Sequence, residues 1–321
     1  MLACGAGAFL HMERRPIDDG VRVWLGGGGN STVIVDGGGA LLVDPKMLGF
    51  SRRLRAEVEG ELGRQVRRMV LTHSHGDHAG GAGEFRHAGA VMVHPRTRAR
   101  LMAEDGTCGA AGERVEAKGP PGFDPPRQPL FEGARGSTAR PLCALPYVEV
   151  SREVSLLVGG EEVRVWHPGV GHTDGDLVAL LPARALLVAG DLVLNGYLPR
   201  IDDEAGGDPL AFGRTLDAVL ELPFERVVPG HGELGDREIV ERTRTYLKGL
   251  EEDVRRARAE GLGEDAAAKS VGLRPEVEAW GWRFIPGEGQ AGNVRLMWRA
   301  LEREARAGGQ SGAAGALESG G

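Results

Sequence analysis

The segment Thr72-His73-Ser74-His75-Gly76-Asp77-His78 places three imidazoles and a carboxylate within six consecutive positions, directly after the apolar run Met69-Val70-Leu71. Imidazole nitrogen and carboxylate oxygen are the usual ligands of zinc and its neighbours, and a catalytic ion needs about three protein ligands and one open position. Four donors this close exceed the needs of one such ion. In extended backbone, residues two apart share a side, so His73 and His75 are expected to grip one ion. Gly76 is expected to turn the chain sharply, aiming Asp77 and His78 at a second ion.

Three more donors stand in matching settings. They are His172 in Gly169-Val170-Gly171-His172-Thr173-Asp174-Gly175-Asp176, Asp191 in Leu186-Leu187-Val188-Ala189-Gly190-Asp191, and His231 in Val227-Val228-Pro229-Gly230-His231-Gly232. Each is expected to follow an apolar strand. Ligands carried at the ends of several strands converge on one sheet edge, where the strands keep the geometry rigid. The remaining histidines, His11, His87, His94 and His167, are read as structural; His94 and His167 end strands, yet each precedes a proline and lacks a matching partner.

The elements that must position these residues follow from periodicity. Alternation over 21–25, then runs at 32–35 and 40–43, predict a meander of strands, with Gly26 to Gly29 as a hairpin loop. No helix follows that loop, so it offers no phosphate cradle. The spacing of Leu54, Val58 and Leu62 predicts a helix over 50–62. A strand over 66–71 delivers the histidine cluster, followed by a short helix over 79–88, a strand over 90–93 and a helix over 96–103. Alternation of strand and helix argues for an α/β fold. The stretch 105–145 is rich in proline and glycine and reads as a lid, a binding loop or a mobile segment. Strands are then expected at 153–158, 163–166, 177–181, 185–189 and 226–228, with helices over 209–220, 236–259 and 293–304. The Gly/Ala/Ser-rich segment 307–321 reads as a disordered tail.

At 321 residues and 34.1 kDa the chain is long enough to bury a full core. It is expected to form one domain over 1–306, with a motif core over about 20–235 and C-terminal helices over 236–306. A net charge of −7 and a pI near 5.8 provide no basic field for nucleic acid or an anionic membrane. Neither is an expected partner. Cys4, Cys108 and Cys143 are odd in number and lack metal-knuckle spacing, although a bridge from Cys108 to Cys143 stays open. No apolar run is long enough for a membrane helix. The cytoplasm is the expected location; Leu2-Ala3-Cys4-Gly5 resembles the end of a lipoprotein signal, which leaves export or lipid anchoring as the alternative.

The set His73-x-His75-x-Asp77-His78, His172, Asp191 and His231, with Asp44 at the end of an early strand, resembles the full motif set of the metallo-β-lactamase-fold hydrolases. The resemblance implies a four-layer αβ/βα sandwich and two divalent ions, zinc first, with iron or manganese as alternatives. It implies that His73, His75 and His172 hold one ion, that Asp77, His78 and His231 hold the other, and that Asp191 bridges them. Asp44 would then orient ligands, although Pro45-Lys46 stands where many relatives carry Thr-Gly. Lactam-cleaving members usually lack an aspartate at the Asp191 position, and the flavodiiron branch replaces the residue matching His75 by glutamate. Glyoxalase II-like thioesterases match the ligands. The segments around His172 and Asp191 look closer to a bacterial group associated with sulfur oxidation or quinoprotein relay.

Two divalent ions, two carboxylates and a shared hydroxide leave a net charge of about plus one, which favours an anionic small-molecule substrate. The expected reaction is hydrolysis of an ester, thioester, lactone or amide, with Asp77 orienting the hydroxide and accepting its proton. A mononuclear iron persulfide dioxygenase and a true β-lactamase are the alternatives. Asn195, Tyr197 and Arg200, on the segment leaving Asp191, are candidate substrate contacts. Trp280, Trp282 and Phe284 read as core or interface.

Overall fold

A computed structural model describes residues 11–104, 141–284 and 289–315. Most of the expected 105–145 loop, with Cys108, therefore lies outside the described residues, as does Cys4. The described chain divides into two compact units.

The first unit takes in residues up to Pro168, then Gly175–Asn195 and Pro223–Arg237. It carries both sheets. The first has seven strands in sequence order: β1 (Met12–Asp18), β2 (Val21–Gly26), β3 (Ser31–Asp36), β4 (Gly39–Val43), β5 (Val66–Val70), β6 (Ala90–Val93) and β7 (Tyr147–Glu149). The pairing is antiparallel from β1 to β4 and parallel from β4 to β7. The second sheet contains β8 (Glu153–Val158), β9 (Glu161–Trp166), β10 (Val178–Leu181), β11 (Leu186–Leu194), β12 (Arg226–His231) and β13 (Gly235–Asp236). Its order is β13-β12-β11-β10-β9-β8, and only β11 and β12 run parallel.

Period-two alternation explains how one sheet serves two cores. Val21, Val23 and Leu25 of β2, Leu41 and Val43 of β4 and Val70 of β5 pack with Val163, Val165, Ala179, Leu186 and Val188 of the second sheet. Trp24, Leu42 and Met69 face the other way, onto Leu54 and Val58 of helix α1 (Leu48–Arg55) and its continuation Ala56–Glu61. That continuation is wider than an α-helix, as the Leu62 N–H bond to the Glu57 carbonyl shows.

Three local expectations need correction. The helix expected over 79–88 is broken into α2 (Gly76–Ala79) and a single turn at Ala82–Glu84, because Gly80-Gly81 interrupts it and the second glycine lies hard against Ser51 and the Pro45 carbonyl. Gly76 does not adopt a left-handed bend; the chain turns because His75 is extended and Gly76 starts the helix. The strand expected at 185–189 runs on through Asp191 to Leu194. The edge strands β1, β7 and β13 had no expectation at all, since Glu13, Arg14 and Arg15 give β1 no apolar alternation. Helix α3 (Pro95–Glu104) completes the unit, and Cys143 is disulfide-bonded.

The second unit comprises Gly169–Asp174, Gly196–Leu222 and the chain from Glu238 on. Its helices are α4 (Pro209–Leu220), most of α5 (Arg237–Ala259), α6 (Glu264–Ser270), α7 (Pro275–Ala279) and α8 (Gln290–Gly315). Asp208 caps α4 by accepting from the amides of Leu210 and Ala211, ahead of a proline at the first helical position. Helix α5 buries Val240, Tyr246, Leu247, Leu250 and Val254, while Asp253 pairs with Arg274 at 2.8 Å and Arg255 with Glu304 at 2.8 Å. Helix α8 runs past the expected end at 304 into the segment read as a tail.

Candidate metal centre

Three strands or their exits bring the donors of the first unit together. His73 leaves β5, His75 caps α2, and Asp77 and His78 sit on that helix. Asp191 lies inside β11 and His231 ends β12. His73, His75 and Asp191 present ligand atoms within 4.8 Å of one another, and so do Asp77, His78 and His231. The cluster divides between these two groups by helix initiation and not by a bend at Gly76.

The contacts are tight. His73 Nε2 is 3.0 Å from His75 Nδ1, and the Nε2 atoms of His78 and His231 are 3.2 Å apart. Asp77 Oδ2 lies 3.1 Å from His231 Nε2. Asp191 divides its carboxylate between the groups. Its Oδ1 stands 3.1 Å from His78 Nε2 and 3.6 Å from His231 Nε2, and its Oδ2 stands 3.9 Å from His73 Nε2. Ring nitrogens crowded together beside carboxylate oxygens are stable only when a cation or a proton is shared among them. Nitrogen and oxygen donors in this mixture suit zinc or a related transition metal.

Burial distinguishes the base of the centre from its mouth. The side chains of His73, His78 and Asp191 are at most 4% exposed, whereas Asp77 is 28% exposed and His231 11%. Burial pushes the Asp77 carboxyl up, but His78 and His231 beside it prevail and hold it well below the usual carboxylate range. Burial likewise raises Asp191, and His78, His231 and His73 bring it well below that range. For His78 burial acts downward, yet the charges of Asp191, Asp77 and Asp44 hold the imidazolium well above its usual value.

Behind the donors stands Asp44, buried at the end of β4 with φ +56°. Its Oδ1 accepts from the Thr72 amide at 2.8 Å, and its Oδ2 accepts from His78 Nδ1–H at 2.7 Å. With Nδ1–H committed there, Nε2 is the nitrogen that would face an ion. Two further residues, not among the site residues expected from the sequence, shape the wall. Lys46, fully buried at φ +71°, donates to the Trp24 and Gly29 carbonyls at 2.5 and 2.7 Å. A Cβ on Gly29 would run into the His78 ring, so only glycine lets this backbone approach. The dense run of glycines at 26–29 was the available signal for Gly29; for Lys46 the signal was a lysine two residues after Asp44 and directly before Met47-Leu48.

His172 belongs to the second unit. Its Nδ1–H donates to the Arg200 carbonyl at 3.0 Å, which leaves Nε2 as the acceptor atom. Of the candidate substrate contacts, Asn195 has its amide engaged with the Glu233 carbonyl at 2.9 Å. Tyr197 is buried beneath the Arg283 guanidinium, 4.3 Å from its ring centroid, and Arg200 lies 3.7 Å from Asp202. Trp280 and Trp282 pack against each other, and Trp282 against Tyr246, as a core reading expects; Phe284 is exposed. His94 and His167 stack on one another and belong to neither donor group.

Among characterised proteins, a metallo-beta-lactamase type 2 from Bacillus cereus is 24% identical over 193 residues, covering 60% of this chain and 61% of that protein. The chain thus spans about three fifths of that relative's length. A metallo-beta-lactamase from Pontibacter korlensis superposes with a TM-score of 0.55 at 21% identity, over 74% of this chain and 99% of that one. A stereoselective inverting sec-alkylsulfatase from Pseudomonas sp. superposes with a TM-score of 0.63 at 17% identity, over 90% of this chain and 50% of that one. These likenesses speak to the fold, an α/β sandwich of the expected type. The family model for the metallo-beta-lactamase superfamily matches residues 24–231, a span that begins at Trp24 and ends on the last histidine of the centre, and the chain belongs to that superfamily.

Proposed function

We propose that this metallo-hydrolase works with two divalent ions, zinc first, on a small ester, thioester, lactone or amide substrate. The observation that carries the reading is the divided carboxylate of Asp191, with one oxygen toward each donor group. His73, His75 and His172 would hold one ion and Asp77, His78 and His231 the other, with Asp191 between them. Ions bound there would lower the pKa of a shared water and hold the negative charge that develops on a carbonyl oxygen. Asp77, the more exposed of the two donor carboxylates and one kept ionised by its neighbours, would orient the attacking water and accept its proton. Asp44 keeps His78 turned toward its ion. The net positive charge of the loaded centre favours an anionic substrate.

The relatives named as β-lactamases make a lactam the natural comparison substrate, but the aspartate at position 191 favours another carbonyl. A persulfide dioxygenase would need one ion and would leave His78 dispensable; the buried bond from Asp44 to His78 favours two. Metal analysis of the purified protein, with a panel of thioester, lactone, lactam and phosphodiester substrates, tests the reading. The expected result is about two equivalents of metal per chain and a carbonyl hydrolysis that falls by about 10²–10⁴-fold in Asp77→Ala. Less than one equivalent, with Asp77→Ala fully active, would sink it. Oxygen uptake with a persulfide would select the dioxygenase instead.

For location, no helix among the described residues is long and apolar enough to cross a membrane. The disulfide on Cys143 favours an oxidising compartment over the cytoplasm. Alkylation of thiols in the native protein checks this, and a freely alkylated Cys143 would return the assignment to the cytoplasm.

A further inference from the structure

Thr72 is the first residue of the cluster and offers no strong metal ligand, yet its amide, hydroxyl and carbonyl are all bonded into the centre's framework. Its amide and hydroxyl both bond to Asp44, the hydroxyl donating to Oδ2 at 2.7 Å. With that proton committed, the hydroxyl oxygen accepts from His73 Nδ1–H at 3.0 Å. The Thr72 carbonyl accepts from the Leu177 amide at 2.8 Å. Its side chain also fills the space beside Gly190, which sits at φ +55° immediately before Asp191; a Cβ there would approach the Thr72 Cβ to 2.8 Å. Thr72 is 1% exposed and Asp44 is 2% exposed, so water does not compete for these bonds.

A single carboxylate thus controls one histidine in each donor group. Asp44 Oδ2 takes the Nδ1 proton of His78 directly and reaches that of His73 through the Thr72 hydroxyl. Each bond leaves an Nε2 lone pair turned toward its own group. We infer that Thr72 is a positioning residue that couples the two half-sites: its hydroxyl fixes the His73 tautomer and makes the loading of one ion favour the other. The coupling runs through Asp44 Oδ2, which both bonds share, so an ion that holds either histidine in place also orders the oxygen on which the other depends. This inference rests on the two-ion reading above.

The test compares wild type with Thr72→Val, which keeps the β-branched shape against Gly190 and removes the hydroxyl, and with Thr72→Ser, which keeps the hydroxyl. Full-length protein stripped of metal is titrated with zinc against a chromophoric chelator. Wild type and Thr72→Ser are expected to load two ions cooperatively, whereas Thr72→Val loads them independently, with the ion at His73 weakened by about 10–100-fold. Nitrogen-15 spectra of the histidines in the metal-free proteins give a second readout. His73 is expected as the Nδ1–H tautomer in wild type and as a mixture in Thr72→Val, with thermal melting showing whether the variant is folded. Unchanged loading and an unchanged tautomer in Thr72→Val would overturn the inference, as would a Thr72→Ser variant that behaves like it. If wild type binds no zinc, the two-ion reading fails, and with it the coupling; the tautomer comparison then shows separately whether Thr72 fixes His73. A valine variant that does not fold transfers the decision to Thr72→Ser and to the wild-type tautomer.

Discussion

His78 governs how the centre responds to pH. In the metal-free fold its pKa lies well above the usual 6.5 because Asp191, Asp77 and Asp44 surround it, so an incoming ion must displace a proton that the unfolded chain would have lost near neutrality. Ion affinity is therefore expected to rise with pH from below 6.5 until the folded-state pKa is passed. Calorimetric titration in buffers of different ionisation enthalpy would report that proton, and an affinity independent of pH across neutrality would contradict the assignment. The same raised pKa means that the stability His78 lends the metal-free fold is present below pH 6.5 and lost as pH rises through the folded value. Asp77 and Asp191 act in the opposite sense: their depressed pKa values lend stability above the usual 3.8 that disappears on acidification. Lys46 supports the centre differently. Burial drives its pKa down, against the pull of Asp44 and Asp77, and its amine satisfies two carbonyls. Lys46→Met leaves both carbonyls buried and without that donor, and is expected to cost about 1–3 kcal/mol in denaturant unfolding; an unchanged midpoint would show that the two bonds contribute nothing net.

Two glycines make opposite predictions at the scale of elements. Gly29 lies on the His78 ring with no room for a Cβ, whereas Gly76 opens a helix in empty space. Gly29→Ala is expected to lose about 1–3 kcal/mol of stability together with the ion at His78, while Gly76→Ala is expected to keep its melting temperature and metal content. Equal behaviour of the two would refute the packing argument. The contrast marks what the sequence made legible. The candidate donors were readable because His73, His75, Asp77 and His78 form a dense local pattern, and strands β2 to β6 were readable because their alternation is local too. The cause of the turn between His75 and Asp77 was not, since the helix there begins where His78 meets Asp44 and Ala79 joins the core, and Gly76 takes no left-handed bend. Nor were the partners of Thr72 and Lys46, which come from 28 residues away for Asp44 and 22 for Trp24. Edge strand β1 escaped because its outward residues are charged and it is held by pairing with β2, which no single-strand pattern reveals.

At the scale of the molecule, an ion that binds only the folded chain stabilises it by mass action, roughly 2.7 kcal/mol at a hundredfold excess over the dissociation constant. Chelation is therefore expected to lower the melting temperature of wild type by several degrees and that of a His78→Ala, His231→Ala double variant by less; identical shifts would mean that these histidines hold no ion. The assembly of the first unit has a consequence for the order in which the chain can fold. Parallel pairing of β11 with β12 joins Leu186 to Arg226, and the buried Asn30 amide reaches the Pro229 carbonyl 199 residues away. Contacts of such long range close slowly. During synthesis, a nascent chain that has exposed β1 to β11 already displays six of the seven donors but lacks the strand that ends in His231. Premature capture of an ion by that incomplete set would hold the chain in a trap, so refolding in the presence of excess zinc is expected to be slower than refolding in chelator followed by metal addition.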